Sequence, residues 1–432
     1  MGVATAHPSR APLLGRVQLP SDKSISHRAV MLAVVGEGTS RIENFSPAGD
    51  CRASTRLALS LGCALNLEAG TLTLTGIGMA TAARVFPEPF DCGRSGTTMR
   101  LAAGLLAGYR FSVQLTGEAQ LLGRPMERVA EPLRLMGAEV STSPGGRPPI
   151  VLRGGGLTGI SFTPPQASAQ VKSAILLAGL QASSPTAISE PVPTRDHTER
   201  LLAAMGARVR VVDSGPARTV ELEPGGLGSL QLRVPGDPSS AAVVATAAAL
   251  VPGSDLLLQG VSVNPTRMGF FAVLARMGAR VDFEPLTGPE SPEPSADIRV
   301  RYGALGGFQV AASEVPALID ELPLLGLLAA TAEGVSEVRG AAELRVKESD
   351  RIQGLVVGLR RLGVDAEELP DGFVVSGPAP LRGGSCDSRS DHRLAMTFTL
   401  AGLVSTAPVV VGGSAFVADS FPGFFELLGG LS

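Results

Sequence analysis

Tryptophan is absent, tyrosine occurs twice, and cysteine and histidine four times each in a chain of 432 residues. So few aromatic rings leave little for bases to stack on, and a net charge of −3 without a basic run removes the electrostatic footprint of a nucleic-acid binder. Nucleic acid is not an expected partner. Cys51, Cys63, Cys92 and Cys386 form no CxxC pair and no zinc-ligand spacing, and four thiols over this length make no disulfide scaffold. The longest nearly apolar run, Ala241 to Val251, falls short of the roughly 18–20 residues that span a bilayer. Met1 to Pro20 has no apolar core of a signal peptide. A soluble, cytoplasmic protein with no membrane partner is the expectation.

Lysine is the scarcest charged residue. Of 37 basic residues only Lys23, Lys172 and Lys347 are lysines. Arginine, by contrast, is spread along the whole chain together with abundant alanine and glycine, the pattern of codon composition rather than of a binding patch. The three survivors then become informative, because an ammonium is a compact point charge that a planar guanidinium does not replace.

A repeated phrase organises the chain. An amphipathic stretch ends in a hydrophobic residue, then glycine, then a small residue, at Gly62, Gly137, Gly206, Gly278, Gly363 and Gly429, with separations of 75, 69, 72, 85 and 66 residues. The physical reading is a helix closed by glycine in the left-handed C′ position and followed by a strand. Each unit also carries a more apolar helix, such as Thr97–Gly108, Ser239–Val251 or Pro323–Glu333, too hydrophobic all round to lie on a surface. Six such units predict an α/β (α+β) protein of two three-unit domains, with strands outside and helices packed inward.

The polar residues concentrate where the apolar helices begin. Ser21-Asp22-Lys23-Ser24 with Arg28 places a lysine, hydroxyls and an arginine at a helix start, where free N–H groups and the helix dipole favour an anion. Gly93-Arg94-Ser95-Gly96-Thr97, Ser168-Ala169-Gln170 and Gly236-Asp237-Pro238-Ser239 repeat the design. The densest charge cluster, Arg345-Val346-Lys347-Glu348-Ser349-Asp350-Arg351, puts Lys347 and Arg351 four apart, on one face if helical, with Glu348 beside them. An acid among cations suits proton transfer next to an anionic substrate. Asp320 lies at the mouth of an apolar helix, and Asp391-His392-Arg393 opens the last one. Lys23, Arg28, Arg124, Arg195, Lys347, Arg351 and Arg393 make seven candidate cations in a net-negative chain, as two polyanionic substrates bound together would require. No Gly-x-x-x-x-Gly-Lys-Ser/Thr loop, convincing dinucleotide fingerprint or metal-ligand cluster occurs, which disfavours ATP, NAD and zinc.

Taken in order, the segments at 20–28, 93–100, 123–126, 168–173, 194–199, 235–241, 318–323, 345–351 and 391–396 resemble the enolpyruvyl transferase family over nearly the full chain. The resemblance implies a two-domain inside-out α/β barrel, each domain three βαβαββ units, with residues 20–234 forming one domain and residues 1–19 plus 235–432 the other, and the active site in the cleft between them. It implies transfer of the enolpyruvyl group of phosphoenolpyruvate to the 5-hydroxyl of shikimate 3-phosphate with release of phosphate, a step of the shikimate pathway toward chorismate and the aromatic amino acids. No cofactor and no metal are needed, and a self-contained pair of domains implies a monomer. By the same resemblance Lys23, Ser24, Arg28, Ser168, Gln170, Arg195, Asp320 and Lys347 hold shikimate 3-phosphate, while Lys23, Gly96, Arg124, Gln170, Arg351 and Arg393 hold phosphoenolpyruvate. Asp320 accepts the hydroxyl proton, and Glu348, with Lys23, manages the proton at the methylene carbon. Arg94 departs from the family's usual asparagine, and Asp419 stands where some members have a lysine beside phosphoenolpyruvate, so no role is assigned to it. Two alternatives share the fold: a transferase acting on UDP-N-acetylglucosamine, which uses a cysteine in the loop before its Arg-Pro, and a non-catalytic binder of anionic metabolites. The loop Gly117–Pro125 has no cysteine, and both acids are present.

Overall fold

The computed structural model describes residues 2–79, 89–288 and 291–431. The chain divides into two compact units, one formed by Met1–Pro20 with Pro235–Ser432 and the other by Ser21–Val234. Each unit holds buried helices inside and sheets around them.

One pattern of pairing recurs. Phe90–Asp91 runs parallel to Ser112–Thr116, which pairs antiparallel with Arg147–Arg153, which in turn pairs antiparallel with Glu139–Ser143. Between these strands lie the inner helix Gly96–Ala107 and the outer helix Glu127–Leu135, giving the order β-α-β-α-β-β. The sheets built on Ser161–Phe162 and on Gln309–Val310 have the same strand order. Two further sheets take their first strand from a distant part of the chain. Leu14–Gln18 pairs parallel with Asp255–Ser262, and Gln231–Arg233 pairs parallel with Thr39–Glu43.

The sixth repeat departs from expectation. Gly62, Gly137, Gly206, Gly278 and Gly363 adopt φ between 86° and 106°, the left-handed region where a Cβ is strained. Gly429 instead lies inside the helix Phe424–Leu431. The sixth sheet is short: Gly384–Asp387 and Val409–Gly412 are completed by the N-terminal strand Val3–Ala6, antiparallel to the latter.

The inner helices owe their burial to composition and their starts to capping. Every residue of Pro238–Leu250 is buried, as are Leu322 to Ala330 of the helix Leu322–Thr331. Each leucine so buried contributes about 1.5–3 kcal/mol. Carboxylate or hydroxyl caps satisfy the first free N–H groups: Asp22 accepts from Ile25 N, Ser95 from Thr98 N, Ser168 from Val171 N, Asp237 from Ser239 N and Asp391 from Arg393 N. Side-chain bonds gather these starts in threes, which places the polar residues of each unit at one end of its helices.

Candidate active site

In the unit Ser21–Val234, Lys23 opens the helix Lys23–Val35 and its Nζ lies 2.9 Å from Asp50 Oδ2. Ser24 follows it, and the Ser24 carbonyl accepts from Arg28 Nη1 at 3.0 Å. The buried Arg28 also donates to Thr198 Oγ1 at 2.9 Å and to Ser173 Oγ at 3.0 Å. These bonds join the helix Lys23–Val35 to Ala169–Gly179 and His197–Ala204. Gln170 Nε2 donates to Thr97 Oγ1 at 2.8 Å, and Gln170 Oε1 accepts from Arg100 Nη1 at 2.5 Å. The starts of the three inner helices therefore meet.

Gly96 is needed there for space. A Cβ on it would stand 2.9 Å from Arg124 Nη1 and 3.1 Å from Arg100 Nη1, so both guanidinium groups come up against the first turn of the helix Gly96–Ala107. That combination of helix N-terminus and arginines suits a phosphate or carboxylate. Arg94, the departure from the family pattern, donates from Nε and Nη2 to Gln120 Oε1 at 3.1 and 2.5 Å. Beneath the surface His27 Nδ1 lies 2.7 Å from Ser54 Oγ, and burial pushes its pKa down to about 3, so the ring is neutral.

In the other unit the cations sit among carboxylates. The buried Arg351 donates from Nε to Asp391 Oδ2 at 2.8 Å, from Nη1 to Asp320 Oδ1 at 3.3 Å and from Nη2 to Glu348 Oε2 at 2.5 Å. Burial works against its charge, but Asp391, Glu348 and Asp320 outweigh it and hold the guanidinium above its ordinary value. Lys347 Nζ lies 3.8 Å from Asp320 Oδ1 and 3.6 Å from Glu343 Oε1. Its pKa is lowered because burial outweighs the pull of these acids. Arg393 Nη1 stands 3.8 Å from Glu321 Oε1, the carboxylate that also accepts from Ser239 Oγ.

One expectation is corrected here. Lys347 and Arg351 do not share a helical face. Asp350 caps the helix Arg351–Arg361 by accepting from Gln353 N, so Lys347 lies outside it, at the end of the 3₁₀ turn Ala342–Val346. The two cations meet through Asp320 instead.

The expected residues thus form two groups, each within its own unit. Lys23, Ser24, Arg28, Gly96, Arg124, Ser168 and Gln170 cluster at three helix starts, with Arg195 on the loop before His197. Asp320, Lys347, Glu348, Arg351 and Arg393 form the second group. Asp50, Arg100, Glu343 and Asp391 also belong to these groups and were not singled out as site residues from sequence. Asp50 and Arg100 lie 27 and 70 residues from their partners Lys23 and Gln170, so no local spacing signals the pairing. Among the described residues, no group of three or more His, Cys, Asp or Glu side chains is arranged to hold a metal ion.

The fold is that of the enolpyruvyl transferases. The enolpyruvyl transferase NikO from Streptomyces tendae superposes with a TM-score of 0.79 at 19% identity, over 99% of this chain and 97% of its own, a likeness of fold. Sequence narrows the class further. The family model for EPSP synthase (3-phosphoshikimate 1-carboxyvinyltransferase) matches residues 8–428. The 3-phosphoshikimate 1-carboxyvinyltransferase of Methylococcus capsulatus is 46% identical over 429 residues, 98% of this chain and 96% of that protein. The protein of the same name from Pelotomaculum thermopropionicum is 48% identical over 419 residues, 96% of each chain. EPSP synthase from Acinetobacter baumannii superposes with a TM-score of 0.86 at 40% identity, covering 99% of this chain and 98% of its own. The chain belongs to the EPSP synthase family.

Proposed function

We propose that the chain transfers the enolpyruvyl group of phosphoenolpyruvate to the 5-hydroxyl of shikimate 3-phosphate, and that both residue groups contribute to the reaction. The observation that carries this reading is the Arg351 guanidinium bonded to Asp320 and Glu348 with Lys347 alongside. It sets two acids and two cations together, as proton transfer beside an anion requires.

Arg28, Ser24, Ser168, Gln170, Arg195 and Lys347 hold shikimate 3-phosphate. Arg124, Arg351, Arg393 and the backbone at Gly96 hold phosphoenolpyruvate, with Lys23 and Gln170 serving both. Asp320 takes the proton of the 5-hydroxyl as its oxygen bonds to C2 of phosphoenolpyruvate. Glu348, assisted by Lys23, delivers a proton to the methylene carbon, giving a tetrahedral intermediate. Cleavage of the bond from C2 to the phosphate oxygen, with the phosphate taking up the proton held by Asp320 and a methyl proton returning to Glu348, then gives the enol ether and inorganic phosphate. Fixed cations stabilise the departing phosphate without reorganising at the moment of reaction.

The protein acts as a monomer in the cytoplasm. The four cysteines, all buried thiols, suit a reducing compartment. No helix among the described residues is long and apolar enough to cross a membrane.

The test is phosphate release from purified protein. Release is expected only when phosphoenolpyruvate and shikimate 3-phosphate are supplied together. Turnover with UDP-N-acetylglucosamine as acceptor, or binding of both substrates without turnover, would overturn the reading.

A further inference from the structure

Lys172 is the third lysine of the chain, and the roles proposed above leave it unused. It lies two residues after Gln170 in the helix Ala169–Gly179, and none of its side chain reaches solvent. Its Nζ donates to Glu190 Oε2 at 2.7 Å and to the Thr194 carbonyl at 3.4 Å, and it lies 2.6 Å from Glu199 Oε1. These acceptors belong to three segments: the end of the strand Thr186–Glu190, the loop 191–196 and the first turn of the helix His197–Ala204. One ammonium therefore ties a helix to a strand end, a loop and a second helix.

The loop held in this way carries Arg195. Thr194, immediately before it, is fixed twice, because its carbonyl faces Lys172 and its hydroxyl donates to the other oxygen of Glu190. Asp196, immediately after it, pairs with Arg200 at 2.9 Å and lies 3.9 Å from Arg218. One position along each helix, Ser173 and Thr198 bond to each other at 2.7 Å and to Arg28. Lys172 and Glu199 thus brace the loop that carries Arg195, next to the hydroxyl pair that holds Arg28.

The charges explain why this position keeps a lysine. Burying an ammonium is costly unless it is paired and its hydrogens are satisfied. Here burial disfavours the charge, and Glu199 and Glu190 outweigh that effect, so Lys172 stays protonated. Two carboxylates share the one cation, and burial raises the Glu199 pKa. An ammonium directs three donors to acceptors in three directions, whereas a guanidinium directs its donors in one plane. In a chain that uses arginine nearly everywhere else, oxygens from three separate segments gathered around one buried Nζ account for the exception.

We infer that Lys172 is a positioning residue for Arg195 and so sets how tightly the enzyme recognises the phosphate of its acceptor substrate. This rests on Arg195 holding that phosphate.

The experiment compares Lys172→Arg, the double variant Lys172→Met with Glu199→Gln, and Arg195→Ala, in the full chain. The double variant removes the cation and one carboxylate together, so the net charge of the buried group is kept if Lys172→Arg fails to fold. The readouts are KM for shikimate 3-phosphate, KM for phosphoenolpyruvate and the inhibition constant of shikimate, which shares the ring but lacks the phosphate. The Lys172 variants should raise KM for shikimate 3-phosphate about tenfold or more, the equivalent of one weakened charge-assisted hydrogen bond. The other two constants should stay within about twofold, and Lys172→Arg should add nothing once Arg195 is alanine. Equal shifts in all three constants, or full additivity with Arg195→Ala, would make Lys172 a fold anchor only and overturn the inference. If Arg195→Ala gives the selective loss and the Lys172 variants do not, the inference fails while the role of Arg195 stands. If Arg195→Ala leaves KM for shikimate 3-phosphate unchanged, the role of Arg195 fails, and the inference with it.

Discussion

Both units pair cations with carboxylates, but in Ser21–Val234, where Lys23 meets Asp50 and Lys172 meets Glu190 and Glu199, several arginines also bond to hydroxyls, amides and carbonyls. In Ser21–Val234, Arg28 is fixed by the hydroxyls of Thr198 and Ser173 and a carbonyl, Arg100 by the amide of Gln170 and the Pro125 carbonyl, and Arg94 by the amide of Gln120. In the other unit Arg351, Lys347 and Arg393 are fixed by Asp320, Glu343, Glu348, Asp391 and Glu321. A hydroxyl, amide or carbonyl acceptor orients a guanidinium without cancelling its charge, which suits capture of an anion. A carboxylate both orients and neutralises, and it offers a site for a proton. On the proposed roles, the carboxylates that move protons, Asp320 and Glu348, lie in one unit, while both units supply cations that hold the substrates.

The sharpest way to break this contrast is one variant from each side. Asp320→Asn should lower kcat by about two orders of magnitude or more, with KM for either substrate changing less. Arg28→Ala should instead act mainly on affinity, raising KM for shikimate 3-phosphate about 10- to 100-fold. Steady-state kinetics with each substrate varied separately decides it. A kcat effect from Arg28→Ala as large as that from Asp320→Asn would dissolve the division.

A smaller effect separates the two sides by pH. Because burial lowers the Lys347 pKa, this cation loses its proton at a lower pH than an ordinary lysine does. The alkaline limb of kcat/KM for shikimate 3-phosphate, which reports groups of the free enzyme, should therefore lie below about pH 10.4. Lys347→Arg should move that limb upward. A limb at the same pH in both proteins would place the titrating group elsewhere.

A further effect concerns stability, and it singles out the unit Ser21–Val234. His27 is neutral and buried with a folded pKa of about 3 against 6.5 unfolded. The unfolded chain binds the proton first, so this contribution is complete above about pH 6.5 and is lost progressively as pH falls toward 3. Hydrogen exchange of the helix Lys23–Val35 should report the acid weakening. In His27→Gln the pH dependence between those values should flatten, and an unchanged slope would remove His27 as its source.

The repeat was readable because helix closure is local. A glycine at C′ answers to the few residues before it, and five of the six predicted exits have positive φ. The sixth failed because a helix end also depends on the element the chain enters next. Gly429 lies within the helix Phe424–Leu431, and the sheet is completed by Val3–Ala6, a strand distant in the chain. The helix starts were readable for the same local reason, since Asp22, Ser95, Ser168 and Asp391 cap within three residues of themselves.

The pairing of charges was only partly local, and sequence spacing misled for Lys347 and Arg351. Lys347 and Arg351 at i and i+4 suggested one helical face, yet Asp350 takes the capping position between them and they are linked through Asp320, 27 and 31 residues away. Residue types, their places at the mouths of apolar helices and the survival of three lysines were set by the chain itself, because each comes from composition or from contacts within a turn. Which acid meets which cation, and what Lys172 holds, was decided by the tertiary structure. Burial leaves a charge only the partners that packing brings within about 4 Å, and beside near neighbours such as Glu348 for Arg351 and Glu343 for Lys347 these include Asp320 and Asp391, tens of residues away.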